Sequence, residues 1–475
     1  MSIRFLFRRL PSQDGGTVFY FASEVKSMTI AALATAPFRA AIGVIRMSGP
    51  QAFSIARSVL RYQNGALIEE GQKRNVSFAR IVDGDEVIDE AVVCAFRGPH
   101  SYTGEDTVEF SCHGGVYLLQ RVLRLLFDRG ARQAEGGEFT KRAFLNGKSD
   151  LTRAEGVMDL IDSQYANAAR VAMSELDGTV GRSISEIRDE LLGICAKLLA
   201  YVDYPDDEIG EVSTDEIAAL LDSSIHRVTA LCDSYGVGRI LRDGVRTALC
   251  GRPNVGKSSL MNRMAGTDRS IVTDVAGTTR DTVDACVVFG DVKLNLTDTA
   301  GIRETRDPVE QIGVSRARGE MEKAELILCV FAPDCNAEDE DLAEEALQHQ
   351  GKTIFLFNKS DLAPQKPLPP WADRAPAFRV SAKTAMGMDA VADCVKALFT
   401  AQGTSASTVI SNGRQYQCLC RVKTALQRAR QNLALTPDVI VSDLEQAVAA
   451  VGEITGQTVS EQVIHEIFSR FCVGK

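Results

Sequence analysis

No stretch of this 475-residue sequence is apolar for long enough to cross a bilayer. Its longest apolar run, Leu326 to Ala332, falls far short of the roughly 18–20 residues a span requires. Nor is positive charge in excess: 53 Lys and Arg stand against 63 Asp and Glu, a net charge of −10. The surface as a whole therefore does not attract nucleic acid, and any RNA contact needs a local basic patch or a second protein. The 12 cysteines are scattered, with Cys418 and Cys420 as the close pair and no C-x-x-C; the 5 histidines form no H-E-x-x-H. That spacing argues against a zinc site or a disulfide framework, and reduced thiols in the cytoplasm are the expectation. Repeats and low-complexity blocks are also missing. What remains is a globular composition, 45% hydrophobic and 24% charged, long enough for roughly two to four domains.

Residues 1–27 are rich in Arg and Phe at the start and turn-like afterwards, without the apolar core and cleavage site of a targeting peptide. They are expected to be a disordered N-terminal extension, with Met28 opening the fold. Residues 28–146 predict short strands at Ala40–Met47, Glu90–Phe96 and Thr107–Cys112, and one helix from Val116 to Phe127. From Thr152 the pattern turns helical: Thr152-x-x-Glu155 has capping-box spacing, and Val157, Met158, Leu160 and Ile161 follow. A longer helix places Ile184, Ile187, Leu191, Ile194, Cys195, Leu198 and Val202 on one face and stops at Pro205. Residues 244–402 alternate strand-like runs with helical segments, which predicts a doubly wound, mostly parallel sheet. After a loose stretch at 403–413, helical spacing resumes through Leu444, Val448, Val451, Val463 and Ile467. One helical domain, 147–243 and 403–475, is thus read as split by an inserted α/β domain.

Gly251-Arg-Pro-Asn-Val-Gly256-Lys257-Ser258 follows the strand-like Arg246–Cys250. A phosphate needs several converging N–H groups, and a glycine-rich turn lets backbone come that close, while the helix that follows adds its positive end. Lys257 is placed to bridge the β- and γ-phosphates and Ser258 to ligate Mg²⁺. Further segments come in the order a GTPase requires. Asp298-Thr299-Ala300-Gly301 ends a strand, with Asp298 in the Mg²⁺ shell and the Gly301 N–H sensing the γ-phosphate. Asn358-Lys359-Ser360-Asp361 ends another; the Asp361 carboxylate can accept from guanine's ring N–H and exocyclic amine, a donor pair adenine lacks. Ser381-Ala382-Lys383 closes over the base. Thr279, in Gly277-Thr278-Thr279-Arg280-Asp281, is placed as the second Mg²⁺ hydroxyl. Together these signals specify GTP rather than ATP.

In Ras-type enzymes a glutamine directly after D-x-x-G orients the attacking water. Ile302 occupies that position here and cannot do so. Asn254, inside the phosphate loop, offers a side-chain carbonyl for a monovalent cation beside the phosphates, which would supply transition-state charge. Glu304, Asp307 and Glu310 in the following segment are candidate bases, and the residues alone do not choose among them.

With these motifs, the chain resembles the MnmE (TrmE) family of tRNA-modification GTPases over residues 28–475. The match is carried by Thr29–Pro37 (TIAALATAP), Gly43–Gly49 (GVIRMSG), Ser101–Glu109 (SYTGEDTVE), Glu138–Lys148 (EFTKRAFLNGK), the GTPase motifs and the terminal Phe471-Cys-Val-Gly-Lys475. The resemblance implies a multidomain α/β protein: an N-terminal α+β folate-binding and dimerisation domain (28–146), a discontinuous all-α domain, and an inserted Ras-like P-loop GTPase domain (244–402). It implies nucleotide contacts at Asn254, Val255, Gly256, Lys257, Ser258 and Ser259. Thr273, Asp274, Val275, Ala276, Gly277, Thr278 and Thr279 would join them, together with the three later motifs. Asn254, Thr273, Val275 and Thr278 match the family's K⁺ ligands, Ser258 and Thr279 its Mg²⁺ ligands, and Glu310 its water-orienting position. Arg46, Glu109, Lys148 and Lys475 match positions contacting the tetrahydrofolate cofactor (5,10-methylene or 5-formyl), and Cys472 matches a cysteine near it.

The implied activity is K⁺-stimulated GTP hydrolysis by a homodimer that assembles into a heterotetramer with an FAD-containing partner, MnmG. The pair would install an aminomethyl or carboxymethylaminomethyl group at position 5 of the wobble uridine of certain tRNAs, away from any membrane. The chain departs from the family's P-P-G-R-G-G by reading Ala36-Pro37-Phe38-Arg39-Ala40-Ala41, which replaces three glycines. Taken singly, Cys472 is as readily a small hydrophobe, His113 beside Gly114-Gly115 reads as a turn residue, and Lys141 and Arg142 read equally as a tRNA contact or as charged surface. The competing function is a ribosome-assembly or RNA-binding regulatory GTPase switch.

Overall fold

The structure, a computed structural model, describes residues 7–11, 17–21, 28–62, 66, 67, 69, 71–203, 214–267, 285–298, 319–349, 352–362, 367–400 and 408–475. Two compact units emerge, residues 1–158 with 455–475, and residues 159–454.

The first unit opens with β1 (Phe7–Pro11) and β2 (Thr17–Phe21), paired antiparallel. Within the segment expected as a disordered extension, these two stretches are strand, and the rest of 1–27 lies outside the described residues. Phe, Val, Tyr and Thr favour pleated backbone. β3 (Ile30–Leu33), β4 (Ile42–Ser48), α1 (Ala52–Val59), β5 (Leu60–Tyr62), β6 (Arg74–Asp83), β7 (Glu86–Phe96), β8 (Thr107–His113), α2 (Val116–Asp128), β9 (Arg132–Gln133) and α3 (Glu138–Leu145) follow. The seven strands from β3 to β9 form one sheet in the order β5-β6-β7-β8-β4-β3-β9, antiparallel except for β3 with β9. Strand alternation sends Ile45, Met47, Val93, Val108 and Phe110 to one face, where Phe53, Val59, Val122 and Leu126 of α1 and α2 cover them. Beneath α3, Phe139 packs with Ile30, Ala32 and Ala134.

α4 (Leu151–Asp162) starts one residue before the expected capping Thr152. Asp150 does the capping: its Oδ1 accepts from the Arg153 N–H at 2.9 Å and from the Thr152 hydroxyl at 2.6 Å. The second unit then runs through α5 (Ala166–Leu176), α6 (Thr179–Asp203), α7 (Thr214–Asp243), β10 (Val245–Cys250), α8 (Lys257–Thr267), β11 (Ala285–Phe289), β12 (Val292–Asp298), β13 (Leu326–Phe331), α9 (Ala337–Gln348), β14 (Lys352–Phe357), β15 (Ala377–Arg379), α10 (Met388–Thr400), α11 (Gly413–Gln431) and α12 (Pro437–Thr455). The helices on either side of the sheet segment share one core: Ile184, Ile187, Leu191 and Leu198 of α6 meet Leu419, Val422 and Leu426 of α11 and Leu444 and Val451 of α12.

The second sheet has the order β11-β12-β10-β13-β14-β15, parallel except that β11 runs against β12. β13 is buried along its whole length, the mark of a central parallel strand covered on both faces. Gly244 alone separates α7 from β10. The junction is braced by an Arg239–Glu325 ion pair and by the Asn295 amide donating to the Asp243 carbonyl at 2.9 Å.

The chain ends with α13 (Glu461–Ser469) in the first unit. Leu151 and Ala154 pack against Ile464, Phe468 and Phe471. Residues 147–158 and 455–475, expected with the helical domain, therefore group by contact with the first sheet's unit.

Candidate functional site

The end of β10 turns into α8 through Gly251–Gly256, with Lys257 as the first helical residue. Three residues take positive φ: Gly251 (149°), Asn254 (65°) and Gly256 (100°). A Cβ on Gly256 would lie 2.3 Å from Asn358 Nδ2, so only glycine fits. That closeness has a purpose in the packing. Asn358 is buried at the end of β14; its Nδ2 donates to the Val255 carbonyl at 2.9 Å and its Oδ1 accepts from the Ala382 N–H at 3.1 Å. Lys359 Nζ donates to the Asn254 carbonyl at 2.6 Å. Lys257 Nζ, itself buried, donates to the carbonyls of Gly251 (2.8 Å) and Arg252 (3.2 Å). Asn254, Ser258 and Ser259 are exposed at the loop and helix start.

Asp361 is exposed and fixed by the Ser381 hydroxyl, which donates to Oδ1 at 2.7 Å and holds the carboxyl below its ordinary pKa. Arg263 of α8 donates to the Ala382 and Lys383 carbonyls, both at 2.8 Å. The structure thus brings together three sequence-predicted segments, 254–259, 358–361 and 381–383, and pairs the end of β12 at Asp298 with Leu249 of β10. Thr273, Asp274, Val275, Ala276, Gly277, Thr278, Thr279, Thr299, Ala300, Gly301, Glu304, Asp307 and Glu310 lie outside the described residues.

The first unit gathers a second set. Arg46 and Glu109 face each other across β4 and β8, with Nε 2.7 Å from Oε1 and both side chains partly exposed. The Arg46 guanidinium lies over Tyr102 and Phe139, 5.2 and 5.7 Å from the ring centroids. Its Nη1 reaches the Gly474 carbonyl at 3.4 Å. The chain's last residues are held here: Val473 bridges to Gly136, and the Lys475 carbonyl accepts from the Phe139 N–H at 3.1 Å. Gly474 has a φ of 101°, and a Cβ on it would come 2.2 Å from the Leu33 carbonyl oxygen. Lys148 Nζ donates to the Pro99 carbonyl at 2.9 Å, beside the 101–104 turn that carries Tyr102. Cys472 is exposed. The Phe38–Ala41 loop pairs with Gly114 through Ala40 N–H and Ala41 C=O, and Phe38 itself is exposed.

Two readings change. Arg142 is no surface cation: it is buried and ion-paired with Glu105 and Glu138, both through 2.9–3.0 Å contacts. His113 ends β8 with Nδ1 2.6 Å from Oδ1 of the buried Asp89, which raises its pKa through that hydrogen bond. Nothing in the local sequence pairs residues 24 positions apart, so Asp89 was invisible without the sheet.

A strand, glycine loop and helix on a mostly parallel sheet, tied to an Asn-Lys-x-Asp turn, make this a P-loop GTP-binding protein. The profile of the MnmE helical domain matches residues 151–472, and that of the GTP-binding protein TrmE N-terminus matches 29–148. The chain is 40% identical over 455 residues to the tRNA modification GTPase MnmE of Symbiobacterium thermophilum, covering 94% of this chain and 99% of that one. The same protein of Natranaerobius thermophilus is 39% identical over 458 residues, with 94% and 99% coverage. The G domain of the T. maritima FeoB iron transporter matches 31% of this chain and 94% of its own at 25% identity, a likeness too loose at a TM-score of 0.26 to bear on the assignment. The chain belongs to the MnmE (TrmE) family of tRNA modification GTPases, and it is a GTP hydrolase of tRNA modification. Among the described residues no helix is long and apolar enough to cross a membrane.

Proposed function

We propose that this GTPase is stimulated by K⁺ and acts as a homodimer with an FAD-containing MnmG partner. Together they install an aminomethyl or carboxymethylaminomethyl group at position 5 of the wobble uridine of tRNA. The observation that carries this reading is the presence of two built sites in one chain. The nucleotide loop stands in the second unit, and the Arg46–Glu109 pair beside the chain's own C-terminus stands in the first.

At the first site, GTP binding exchanges the carbonyl contacts of Lys257 for β- and γ-phosphate oxygens, and the N–H groups of Val255 to Ser259 converge on them. Asp361 reads the guanine edge, Asn358 and Lys359 hold that turn against the loop while the Ser360 hydroxyl donates to the Phe357 carbonyl, and Ser381, Ala382 and Lys383 close over the base. The donor sets suit two different ions. Two hydroxyls, Ser258 and Thr279, and a carboxylate, Asp298, are oxygen donors of the kind that fit Mg²⁺. Asn254, Thr273, Val275 and Thr278 offer neutral oxygens without a carboxylate, which fits a monovalent cation such as K⁺. Asn254 supports this reading by being exposed, with a left-handed backbone. Held by these residues, K⁺ would supply positive charge beside the phosphates. Glu310 orients the hydrolytic water, a task Ile302 cannot perform.

At the second site, Arg46 and Lys475 offer cationic partners for a folate tail, Glu109 a carboxylate for a pterin amine, and Tyr102 and Phe139 flat faces beside it. Lys148 supplies a further cation, and Cys472 stands exposed nearby. Tetrahydrofolate bound there supplies a one-carbon unit.

Hydrolysis measured in KCl and in NaCl at equal ionic strength tests the cation assignment. The rate in K⁺ is expected to exceed that in Na⁺ by about tenfold or more; equal rates would remove the cation from the mechanism.

A further inference from the structure

Arg252 follows Gly251, and its guanidinium is engaged with Asp339 of α9 in a two-point fork: Nε to Oδ1 at 2.8 Å and Nη2 to Oδ2 at 2.8 Å. Nη2 also donates to the Asp334 carbonyl at 3.2 Å. The Asp339 side chain is 0% exposed and that of Arg252 21%. The same carboxylate closes the capping box of α9: Oδ2 accepts from the Asn336 N–H at 3.0 Å, and Asn336 Oδ1 accepts from the Asp339 N–H at 3.3 Å. A single buried carboxylate therefore joins the start of α9 to the second residue of the phosphate loop, 87 positions earlier in the chain.

We propose that Asp339 is a positioning residue for the phosphates of GTP, acting through Arg252. The loop contains three positive-φ residues and has to be held in shape for its N–H groups to converge. Its second half is tied by Asn358 to the Val255 carbonyl and by Lys359 to the Asn254 carbonyl. Its first half is tied by Lys257 to the carbonyls of Gly251 and Arg252, and by Arg252 to Asp339. Phosphate binding takes Lys257 away from those carbonyls. The Arg252–Asp339 fork then becomes the side-chain anchor that the described residues show for the first half of the loop. A charged group buried with one partner does not exchange it cheaply, because the separated carboxylate would remain without solvent or counter-charge. The fork is rigid for the same reason, so the order the loop needs is present before nucleotide arrives. Lysine cannot replace arginine here, since an ammonium is a point charge without the planar pair of donors.

This rests on Gly251–Ser258 being the phosphate loop; if that were wrong, the unaltered protein would bind no GTP, which the same experiment shows at once. In the full-length chain, binding of fluorescent mant-GDP and steady-state GTP hydrolysis are compared across five variants, Arg252→Ala alone among them. Asp339→Asn keeps the volume and the capping acceptor but removes the charge. It is expected to weaken mant-GDP binding and raise KM for GTP by about tenfold, with kcat at saturating GTP within about twofold of the parent. Arg252→Lys, which leaves Asp339 and its cap intact, is expected to shift KM in the same direction by about threefold or more. In Arg252→Ala/Asp339→Asn the two changes are expected to add to no more than the Arg252→Ala change alone, as coupled residues do. Asn336→Ala uncaps α9 without touching the fork; it is expected to lower Tm while KM stays put. Unaltered KM in both Asp339→Asn and Arg252→Lys would overturn the proposal. So would tighter binding in Asp339→Asn, which would mean that Arg252 leaves Asp339 to contact nucleotide itself. An equal rise of KM in Asn336→Ala would reduce the effect to the stability of α9.

Discussion

Asp361→Asn is expected to lower GTP affinity by about two to three orders of magnitude and to admit xanthosine 5′-triphosphate in its place. A carboxylate accepts from both the ring N–H and the exocyclic amine of guanine, and Ser381, donating to Oδ1 at 2.7 Å, keeps that carboxyl ionised by depressing its pKa. An amide accepts at one atom and donates at the other, so it faces the guanine amine with a donor. Xanthine carries a carbonyl where guanine carries that amine, and the amide then matches it at both atoms. The turn itself survives the change, because Asn358 and Lys359 anchor it to the phosphate loop independently of Asp361. Competition of GTP and xanthosine triphosphate against mant-GDP reads the result. Undiminished GTP affinity would remove Asp361 from the base site.

Arg46→Ala is expected to abolish binding of 5-formyltetrahydrofolate, by a factor of about a hundred or more, as measured by titration calorimetry. Arg46 is the hub of its site: it pairs with Glu109, lies over Tyr102 and Phe139, and touches the Gly474 carbonyl. Its loss removes the cation for a carboxylate tail and leaves Glu109 as an unbalanced negative charge facing the same ligand. Both effects act against an anionic folate. The partial exposure of the pair means that the fold loses little, so Tm is expected to move by only a few degrees. Unchanged affinity would make Arg46 a brace between the sheet and the chain end.

Where one kind of residue was forced by local geometry, the site was legible in the sequence. Gly251, Gly256 and Lys257 stand at the spacing a phosphate loop imposes, and a Cβ would lie 2.4 Å from the Val330 carbonyl oxygen at Gly251 and 2.3 Å from Asn358 Nδ2 at Gly256, so no other residue serves. The inner strands were legible as well, because β13 is buried on both faces and must be apolar throughout. Partnerships over long sequence distances were not. Asp339 looks like one more acid in a helix that opens Ala-Glu-Asp-Glu-Asp, and only the fold shows that it alone is buried against Arg252. Arg142 read equally as a tRNA contact or as charged surface because periodicity says nothing of Glu105, which lies 37 positions away. Capping moved from Thr152 to Asp150 because both residues carry a suitable oxygen and spacing cannot rank them. The grouping of 455–475 with the first sheet was hidden for a related reason. A helical period reports that α13 has an apolar face, not that Leu151 and Ala154 are what it covers.

The central claim is that the two sites serve one modification of tRNA, and the wobble nucleoside reports on it directly. Mass spectrometry of nucleosides from bulk tRNA of a strain lacking this protein is expected to show loss of the 5-aminomethyl and 5-carboxymethylaminomethyl uridines, restored by the intact gene but not by the Arg46→Ala form. Normal levels of both nucleosides in the deleted strain would contradict the account.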